Sequence, residues 1–413
     1  MQLKNKKPKS KKLPILISAA ATAVVSLGHA GSSDTVSLNH EYYNESDDRI
    51  RVDYTILDIK KDFGTDRSVS ASFSIDEITG GTPIWDSISN PSPCTDEEGN
   101  YICDDKEKRP GNLIGAPQND LKDFVYRNIE MQDTRKAGNI SLTYRTPSRN
   151  EWSFGAAYSE ESDFKSKEAS IGFLGYLDET KNNSVSAGLS IQKNESFFYF
   201  DEEWKDMNIV SAEISYTQIF NAKTLGQVTL FGTVQSKALT NPYQTVIRRV
   251  NVLEDEPRLD PVYKFYRARE IRPDKKNILG VSFNFVSEVQ DDIKIHAHYR
   301  LYKDDWDIRS HTLDFKMYYN ITDKIVLAPS IRYYNQSAAN FFKGHTDKDF
   351  IFSEKDSFAS SDDRLGDFHS TTYALGIESK LTDKWDINMH GAWQKTSYDL
   401  KSYWVSLGVK YAF

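Results

Sequence analysis

The stretch Ile293-Lys-Ile-His-Ala-His-Tyr-Arg-Leu-Tyr302 decides the fold, because apolar and polar residues alternate along its whole length. Successive side chains of a β-strand point to opposite faces. One face is apolar and consists of Ile293, Ile295, Ala297, Tyr299 and Leu301. The other is polar and consists of Lys294, His296, His298, Arg300 and Tyr302. A long strand with basic residues on one side indicates a membrane β-barrel with a wet interior, and a soluble two-layer sheet is the alternative.

The same design repeats in residues 312–319 and 325–334, and the alternation continues from Val36 to the last residue. It predicts sixteen strands, near 35–44, 49–60, 67–77, 136–146, 150–160, 166–177, 183–193, 207–220, 223–238, 276–288, 291–303, 308–320, 323–335, 367–380, 383–396 and 402–413. The predicted fold class is all-β: a transmembrane antiparallel up-and-down β-barrel of about 16 strands, within a range of roughly 14 to 18. Residues 31–413 are predicted to form this single domain.

The connections between these strands are of two kinds. The short ones are Lys61–Asp66, Thr146–Arg149, Asp178–Asn182, Asn221–Ala222, Gln290, Ile321–Thr322 and Leu381–Thr382. The long ones, at 78–135, 239–275 and 336–366, all fall in the alternate set. An outer-membrane barrel with both termini in the periplasm has this order, with short periplasmic turns and long extracellular loops.

Both ends of the chain predict export to the outer membrane of a Gram-negative cell. Six lysines, an apolar run from Leu13 to Leu27 and small residues before Gly31 predict a signal peptide over residues 1–30. The last strand ends in Phe413 and resembles the C-terminal signature that the barrel-assembly machinery recognises. The predicted partners are therefore this machinery, outer-membrane lipid and lipopolysaccharide.

The composition agrees with a barrel and excludes one class of partner. The mean hydropathy of −0.60 is low, but only every second residue of a barrel strand faces lipid. The aromatic fraction of 13% suits interfacial girdles. Without the six signal lysines, 46 basic residues stand against 60 acidic ones, a charge of about −14 that argues against nucleic acid.

The two cysteines, Cys94 and Cys103, lie in one long polar loop. In an oxidising compartment this spacing predicts a local disulfide, with a metal or redox role as the alternative.

The polar face of the strands predicts the lining of the lumen. The lumen and selectivity candidates are Lys294, His296, His298, Arg300, Asp314, Lys316, Arg332, Glu378, Asp386 and His390. The excess of basic residues favours anions, but the same charges can form ion pairs that brace the wall, and we favour bracing. His296 and His298 point the same way, which suits a metal or a haem, although a polar lining is the commoner role. No metal site and no cofactor are expected.

No nucleophile with an ordered base is recognisable, so no catalytic residue is predicted and the barrel is not expected to be an enzyme. Acidic runs such as Asp96-Glu97-Glu98, Glu254-Asp255-Glu256 and Asp201-Glu202-Glu203 are interpreted as solvated loop charge. Calcium binding or bridging to lipopolysaccharide is the alternative for these runs.

Several blocks of the chain resemble a Gram-negative family of roughly 400-residue proteins known only as a domain of unknown function. The blocks are Ser70–Phe73, Gly80–Pro83, Asn241–Tyr243, His298–Tyr302, Asp304–Trp306, Ser310–Thr312, Arg332–Tyr334, Gln336–Ala339 and Asp363–Leu365. The resemblance implies an outer-membrane barrel and supplies no activity or site residues. Genes near those of the family imply redox chemistry at the envelope and a possible periplasmic or lipoprotein partner.

The blocks also define loop-tip candidates, namely Asp304, Asp305, Trp306 and Arg309. If this tip and the loop after Arg332 fold over the mouth, they form a constriction or a docking site. The alternative is that Trp306 belongs to the outer aromatic girdle, and we favour the girdle.

The sequence thus predicts a passive, porin-like channel with a mixed-charge lumen. The alternative is a sleeve for an envelope redox or lipoprotein partner, and an outer-membrane hydrolase is a weaker third hypothesis.

Overall fold

The structure is a computed structural model that describes residues 34–47, 49–88, 113–251, 260, 262–353 and 357–413. The predicted signal peptide, both cysteines and two of the three acidic runs lie outside these residues.

Sixteen antiparallel strands close into one barrel, as predicted. The barrel strands are β1 (Thr35–Glu45), β2 (Ile50–Phe63), β3 (Arg67–Ser87), β5 (Phe124–Arg145), β6 (Glu151–Glu160), β7 (Phe164–Tyr176), β8 (Asn183–Phe198), β9 (Glu203–Asn221), β10 (Thr224–Lys237), β13 (Lys275–Gln290), β14 (Ile293–Asp304), β15 (Arg309–Thr322), β16 (Ile325–Gln336), β17 (Phe368–Lys380), β18 (Trp385–Thr396) and β19 (Lys401–Ala412). The barrel closes where β1 pairs with β19, from Thr35 opposite Ala412 onward. No helix among the described residues is long and apolar enough to cross a membrane.

Two adjacent rows of paired residues distinguish the lipid face of the barrel wall from its lumen face. One row runs across five neighbouring strands through Phe315, Ile331, Tyr373, Trp393 and Tyr403, and each of these large side chains is 42–53% exposed. The next row is polar and contains His298, Asp314, Arg332, Thr372 and Gln394. An apolar row that stays exposed around a closed wall is the lipid face, so the polar row lines the lumen.

The hairpin of β3 and β5 is much longer than predicted. The alternation predicts that the first strand ends at residue 77 and that the second starts at 136, whereas their pairing continues to Ser87 opposite Phe124. The neighbouring strands stop earlier, since β2 pairs only as far as Gly80 and β6 only as far as Lys136. The last seven residues of β3 therefore leave the wall as a two-stranded extension of about 23 Å.

The hairpin leaves the wall at Gly80. This residue has a φ of +111°, which L-residues with a side chain rarely adopt. A Cβ atom there would overlap the carbonyl oxygen of Arg49, and the next amide, of Gly81, donates to that same oxygen at 2.8 Å. The glycine pair lets the backbone of β3 pass close to the β1–β2 turn.

Three further strands form a small sheet outside the barrel wall: β4 (Leu113–Gln118), β11 (Thr245–Asn251) and β12 (Tyr263–Arg269), in the order β11-β12-β4. We call the cap the residues 113–118, 239–251, 262–274, 337–353 and 357–367, which combine this sheet with the described parts of the long connections. The hairpin of β11 and β12 lies in a connection for which no strand was predicted.

We expect Gly80→Ala to loosen the extended hairpin for two reasons. The new methyl group would overlap the Arg49 carbonyl oxygen, and alanine rarely adopts the positive φ of this position. The cost should be about 1–3 kcal/mol. Hydrogen exchange of the amides of residues 82 and 84–87 should accelerate by about five- to a hundredfold. The matched control is Gly391→Ala, since a Cβ atom at Gly391 meets no atom within 4 Å. Equal exchange rates in the two variants would contradict this account.

Candidate functional site

The ten predicted lumen residues all lie on β14 to β18 with the parity of the polar row. They face the lumen, where water can reach them. The side chain of Arg332 is 53% exposed and that of Lys294 is 51% exposed. The wall therefore presents hydrated charge to the interior of the barrel.

Most of these charges have a neighbour in the wall. Arg332 Nε lies 3.6 Å from Asp314 Oδ1, and Lys294 Nζ lies 3.8 Å from Glu288 Oε2. Asp386 lies 3.9 Å from Lys410. These pairs join residues along or between adjacent strands, which favours the interpretation that the charges brace the wall. Because the pairs are long and hydrated, each contributes little to stability.

Two basic side chains of the wall lie against aromatic rings. Lys316 Nζ is 4.5 Å from the centre of the Tyr318 ring. The guanidinium of Arg300 is 4.4 Å from the centre of the Phe231 ring. A cation over a ring keeps its full charge. Lys316 and Arg300 therefore add positive charge to the lumen beyond that of the ion pairs.

The two histidines have different partners. His298 Nδ1 lies 3.0 Å from Asp314 Oδ2, while the His296 ring packs 4.9 Å from the Tyr318 ring. Within the described part of the chain, the group of side chains close enough to share a metal ion contains neither histidine. The geometry supports a polar lining at this position.

Trp306 lies in the cap interface and not in a lipid-facing girdle, so the favoured girdle interpretation was wrong. The side chain is 3% exposed, its ring meets Phe341 at 5.2 Å, and Nε1 donates to the Lys275 carbonyl at 3.0 Å. Asn340 donates its amide to the Trp306 carbonyl at 3.0 Å. The β14–β15 tip and the β16–β17 connection therefore fold together over the mouth.

The other tip candidates hold this turn in shape. Asp304 is buried and accepts from the amides of Trp306 and Ile308, both at 3.0 Å, while Lys276 lies 2.9 Å away. Asp305 accepts from the amide of Asn277 at 2.9 Å. The amide of Arg309 donates to Ser337 Oγ at 2.9 Å, which joins the turn to the β16–β17 connection.

The cap has an apolar core of its own. Val246, Val250, Ala268, Phe352 and Ala359 pack together with exposures of 0–6%. A second cluster joins Ile247 of β11 to Trp85 and Phe124 of the long hairpin. Burial of this kind makes the cap a folded unit and not a set of loose loops.

An ionic network around the buried carboxylates of Glu270 and Asp362 ties the two long connections of the cap together. Arg272 donates to Glu270 and to Asp362, both at 2.8 Å, and Asp362 also accepts from the Arg364 guanidinium at 2.6 Å. Burial acts to raise the pKa of Asp362, but the charges of Arg364 and Arg272 outweigh it and hold the pKa well below its ordinary value. Asp362 is therefore ionised and fixes both arginines.

The cap also packs on the extension of the β3–β5 hairpin, which leaves the wall at Gly80. Tyr126 on β5 donates to the Ser361 carbonyl at 3.3 Å, although β3, β2, β1, β19 and β18 separate β5 from β17 around the barrel. Nearby, Trp85 stacks on Phe350 at 4.7 Å, and Thr245 donates to the Trp85 carbonyl at 2.7 Å. Arg267 and Arg127 both pair with Asp86. The cap also contacts the rim at widely separated turns, since Arg269 pairs with Asp201 of the β8–β9 turn and Asp363 lies 3.7 Å from Arg49 of the β1–β2 turn. The described cap residues thus form a bridge over the lumen.

The cap was not predicted from the sequence because its contacts join segments that are far apart in the chain. Arg248, for example, forms a bridge with Phe352. The one local signal was the pair of short apolar-basic segments 245–251 and 263–269, which can be interpreted as a hairpin.

Comparisons with known proteins relate the chain to one family and to several barrels. A family model described as "Protein of unknown function (DUF3570)" matches residues 12–197 and 197–399. Among curated proteins there is no significant match. Similar solved structures include a bacterial polysaccharide outer membrane secretin, with a TM-score of 0.48, 8% identity, and coverage of 92% of this chain and 98% of that chain.

Two further similar structures come from named organisms. OmpT, an outer membrane protein of Vibrio cholerae, has a TM-score of 0.42 and 11% identity, with coverage of 95% of this chain and 100% of that chain. A mutant of the ferric enterobactin receptor PfeA from Pseudomonas aeruginosa has a TM-score of 0.42 and 13% identity, with coverage of 89% and 54%. The chain spans about half the length of that receptor.

We expect Asp362→Asn to open the cap, because it leaves the Arg364 and Arg272 charges without their shared carboxylate. Breaking a buried pair costs about 3 kcal/mol, so exchange of the β11 amides should accelerate by about two orders of magnitude. Asp386→Asn, which breaks a lumen pair instead, is the control. If the β11 amides exchanged at the same rate in Asp362→Asn and in the control, the ionic network would not be what holds the cap closed.

Proposed function

Because the chain belongs to the family described as "Protein of unknown function (DUF3570)", which supplies no activity to transfer, we propose its function from the barrel itself. It is an outer-membrane channel for small hydrophilic solutes, and the cap controls access to its water-filled, mixed-charge lumen. The family resemblance inferred from the sequence blocks is confirmed by this membership.

The lipid face supports the placement in an outer membrane. Large aromatic side chains lie exposed beside the short turns, among them Phe63, Tyr144, Trp152, Phe220 and Trp385. Others lie towards the opposite end, such as Trp204 and Trp393. Two such girdles with an apolar band between them suit a bilayer. With short turns in the periplasm, the cap is at the extracellular end.

The observation that carries the proposal is the contrast between the wall and the cap. Lys294, Arg332 and Lys410 keep about half of their side-chain surface exposed, as a water-filled lumen requires. In the cap, Arg248, Glu270 and Ser361 are 0–1% exposed. A hydrated passage that ends in a tightly folded bridge is the arrangement of a gated channel and not of a solid structural barrel.

Ionic contacts, beside the apolar packing of Ile247 on Trp85 and of Trp306 on Phe341, join the cap to the rim and to the long hairpin, and they suit it to act as a gate. Arg269 pairs with Asp201 of the β8–β9 turn, and Arg267 pairs with Asp86 of the long hairpin. Such contacts have discrete closed and open states, so breaking them releases a whole element. A periplasmic or lipoprotein partner and the absence of enzymatic activity stay predictions.

We expect the refolded barrel to conduct weakly in a planar bilayer and Asp362→Asn to raise the mean conductance several-fold, because the variant loosens the bridge over the lumen. Asp206→Asn serves as the control, because this rim carboxylate, 3.3 Å from Lys193 and from Lys237, belongs neither to the cap nor to the lumen candidates. If the Asp362→Asn barrel showed no conductance although hydrogen exchange showed that its cap was open, the proposal of a channel would be refuted.

A second expectation concerns charge selectivity. Lys316→Ala should lower the anion preference in a salt gradient, since Lys316 lies over the Tyr318 ring and adds positive charge beyond that of the ion pairs. Arg332→Ala should have a smaller effect because Asp314 already lies beside it. The reversal potential measures both, and equal potentials in wild type and Lys316→Ala would show that the basic wall does not select.

A further inference from the structure

Three carboxylates meet where the cap touches the rim of the barrel. Asp133 lies on β5, and Glu161 and Asp163 lie in the turn between β6 and β7. One carboxylate oxygen from each side chain lies within 4.8 Å of the others. Asp133 and Asp163 are 3% and 2% exposed, so this acidic pocket is largely withdrawn from water.

The pocket has more negative than positive charge. Among the charged groups that act most strongly on Glu161, Arg135 is basic and Asp133, Asp163 and Asp76 are acidic. Arg135 is already paired with Asp76, which is 2% exposed. Buried carboxylates normally have a compensating charge, and a single guanidinium does not balance four of them.

The carboxylates are oriented, yet part of their binding capacity is unused. Asp133 accepts from the amides of Thr134 and Ser162 at 2.7 and 3.2 Å. Asp163 Oδ2 accepts from the hydroxyls of Tyr199, at 2.6 Å, and Tyr243.

By contrast, Asp163 Oδ1 and Glu161 Oε2 are buried and have no hydrogen-bond partner among the described residues. A buried acceptor without a partner is unfavourable, and more so when it is charged, so a cation bound to these oxygens would be stabilising.

We propose that Asp133, Glu161 and Asp163 bind one divalent cation of the calcium type, with water completing its coordination. Calcium takes oxygen ligands at about 2.4 Å, so two ligands on opposite sides of the ion are about 5 Å apart. The three carboxylate oxygens therefore all reach one ion. Its two positive charges would offset the excess that Arg135 leaves.

The cation would act as a clamp on the cap. Tyr243 belongs to the cap and Tyr199 to the β8–β9 turn, and both donate to the same oxygen of Asp163. Tyr243 also packs on Ile78 of the wall. Fixing Asp163 therefore fixes the contact between cap and rim. This goes beyond the proposed channel, and cation binding can be measured whether or not the barrel conducts.

The test uses full mature barrel refolded without lipopolysaccharide, because lipopolysaccharide itself binds calcium, and stripped with a chelator. Titration with CaCl₂ by calorimetry should give one site per chain. Tb³⁺ should bind in its place and emit when tyrosine is excited, since Tyr199 and Tyr243 lie beside Asp163. Calcium should also slow hydrogen exchange in residues 245–251.

Glu161→Gln and Asp163→Asn should each weaken binding by at least about tenfold, because affinity follows the number of charged ligands. In the Asp163→Asn variant the amide oxygen can still accept from both tyrosines, and an SDS-resistant, heat-modifiable band reports that the barrel is folded. The control is Asp206→Asn, a rim carboxylate that already lies 3.3 Å from Lys193 and from Lys237.

Loss of the site in both variants but not in the control supports the proposal. Binding that is absent in wild type, or equal in all four proteins, overturns it. Neither result bears on conductance, so the channel proposal stands or falls separately.

Discussion

The rest of the structure depends on the pairing of β1 with β19, which runs from Thr35 opposite Ala412 to Glu45 opposite Ser402. In hydrocarbon an unpaired backbone amide or carbonyl costs several kcal/mol, so a sheet can cross a membrane only if it has no edge. Closure makes one face of every strand a lipid face and the other a lumen face. It also fixes the diameter that the cap has to span, which is why elements from opposite sides of the wall meet above it.

The chain folds against two solvents, and its residues divide accordingly. The barrel exposes its large apolar side chains, such as Leu313 and Leu407, which are 51% and 55% exposed. The cap buries an apolar core and several charged side chains, as a small soluble domain does, and its ionic network pairs Arg272 and Arg364 with Asp362. The cap therefore provides the specific side-chain contacts at the mouth. The lipid face needs only an apolar band that matches the thickness of the bilayer.

The barrel wall could be predicted from the sequence, and the cap could not. The strands, the barrel fold and the lumen residues from Lys294 to His390 can be predicted from the alternation of polar and apolar residues. This pattern is local, so a single sequence is enough to recognise it. The cap cannot be predicted in this way, because its register joins Arg248 to Phe352 and Tyr126 to Ser361, and no local pattern encodes such distant partners. Trp306 shows the error most clearly: an aromatic at a hairpin tip suits a girdle, and only the position of Phe341 shows that it is buried. The acidic pocket was missed for the same reason, since Asp133 lies on β5 while Glu161 and Asp163 lie in the turn between β6 and β7.

We propose a lumen that is filled with water and a cap that limits access to it from outside. The most direct test places one cysteine at Ser330, an inward position opposite Lys316, with Cys94 and Cys103 replaced by serine. A membrane-impermeant thiol reagent is then added to whole cells. The account predicts slow labelling with an intact cap and labelling many times faster when Asp362→Asn is also present. Equal rates in the two backgrounds, or no labelling in either, would contradict it.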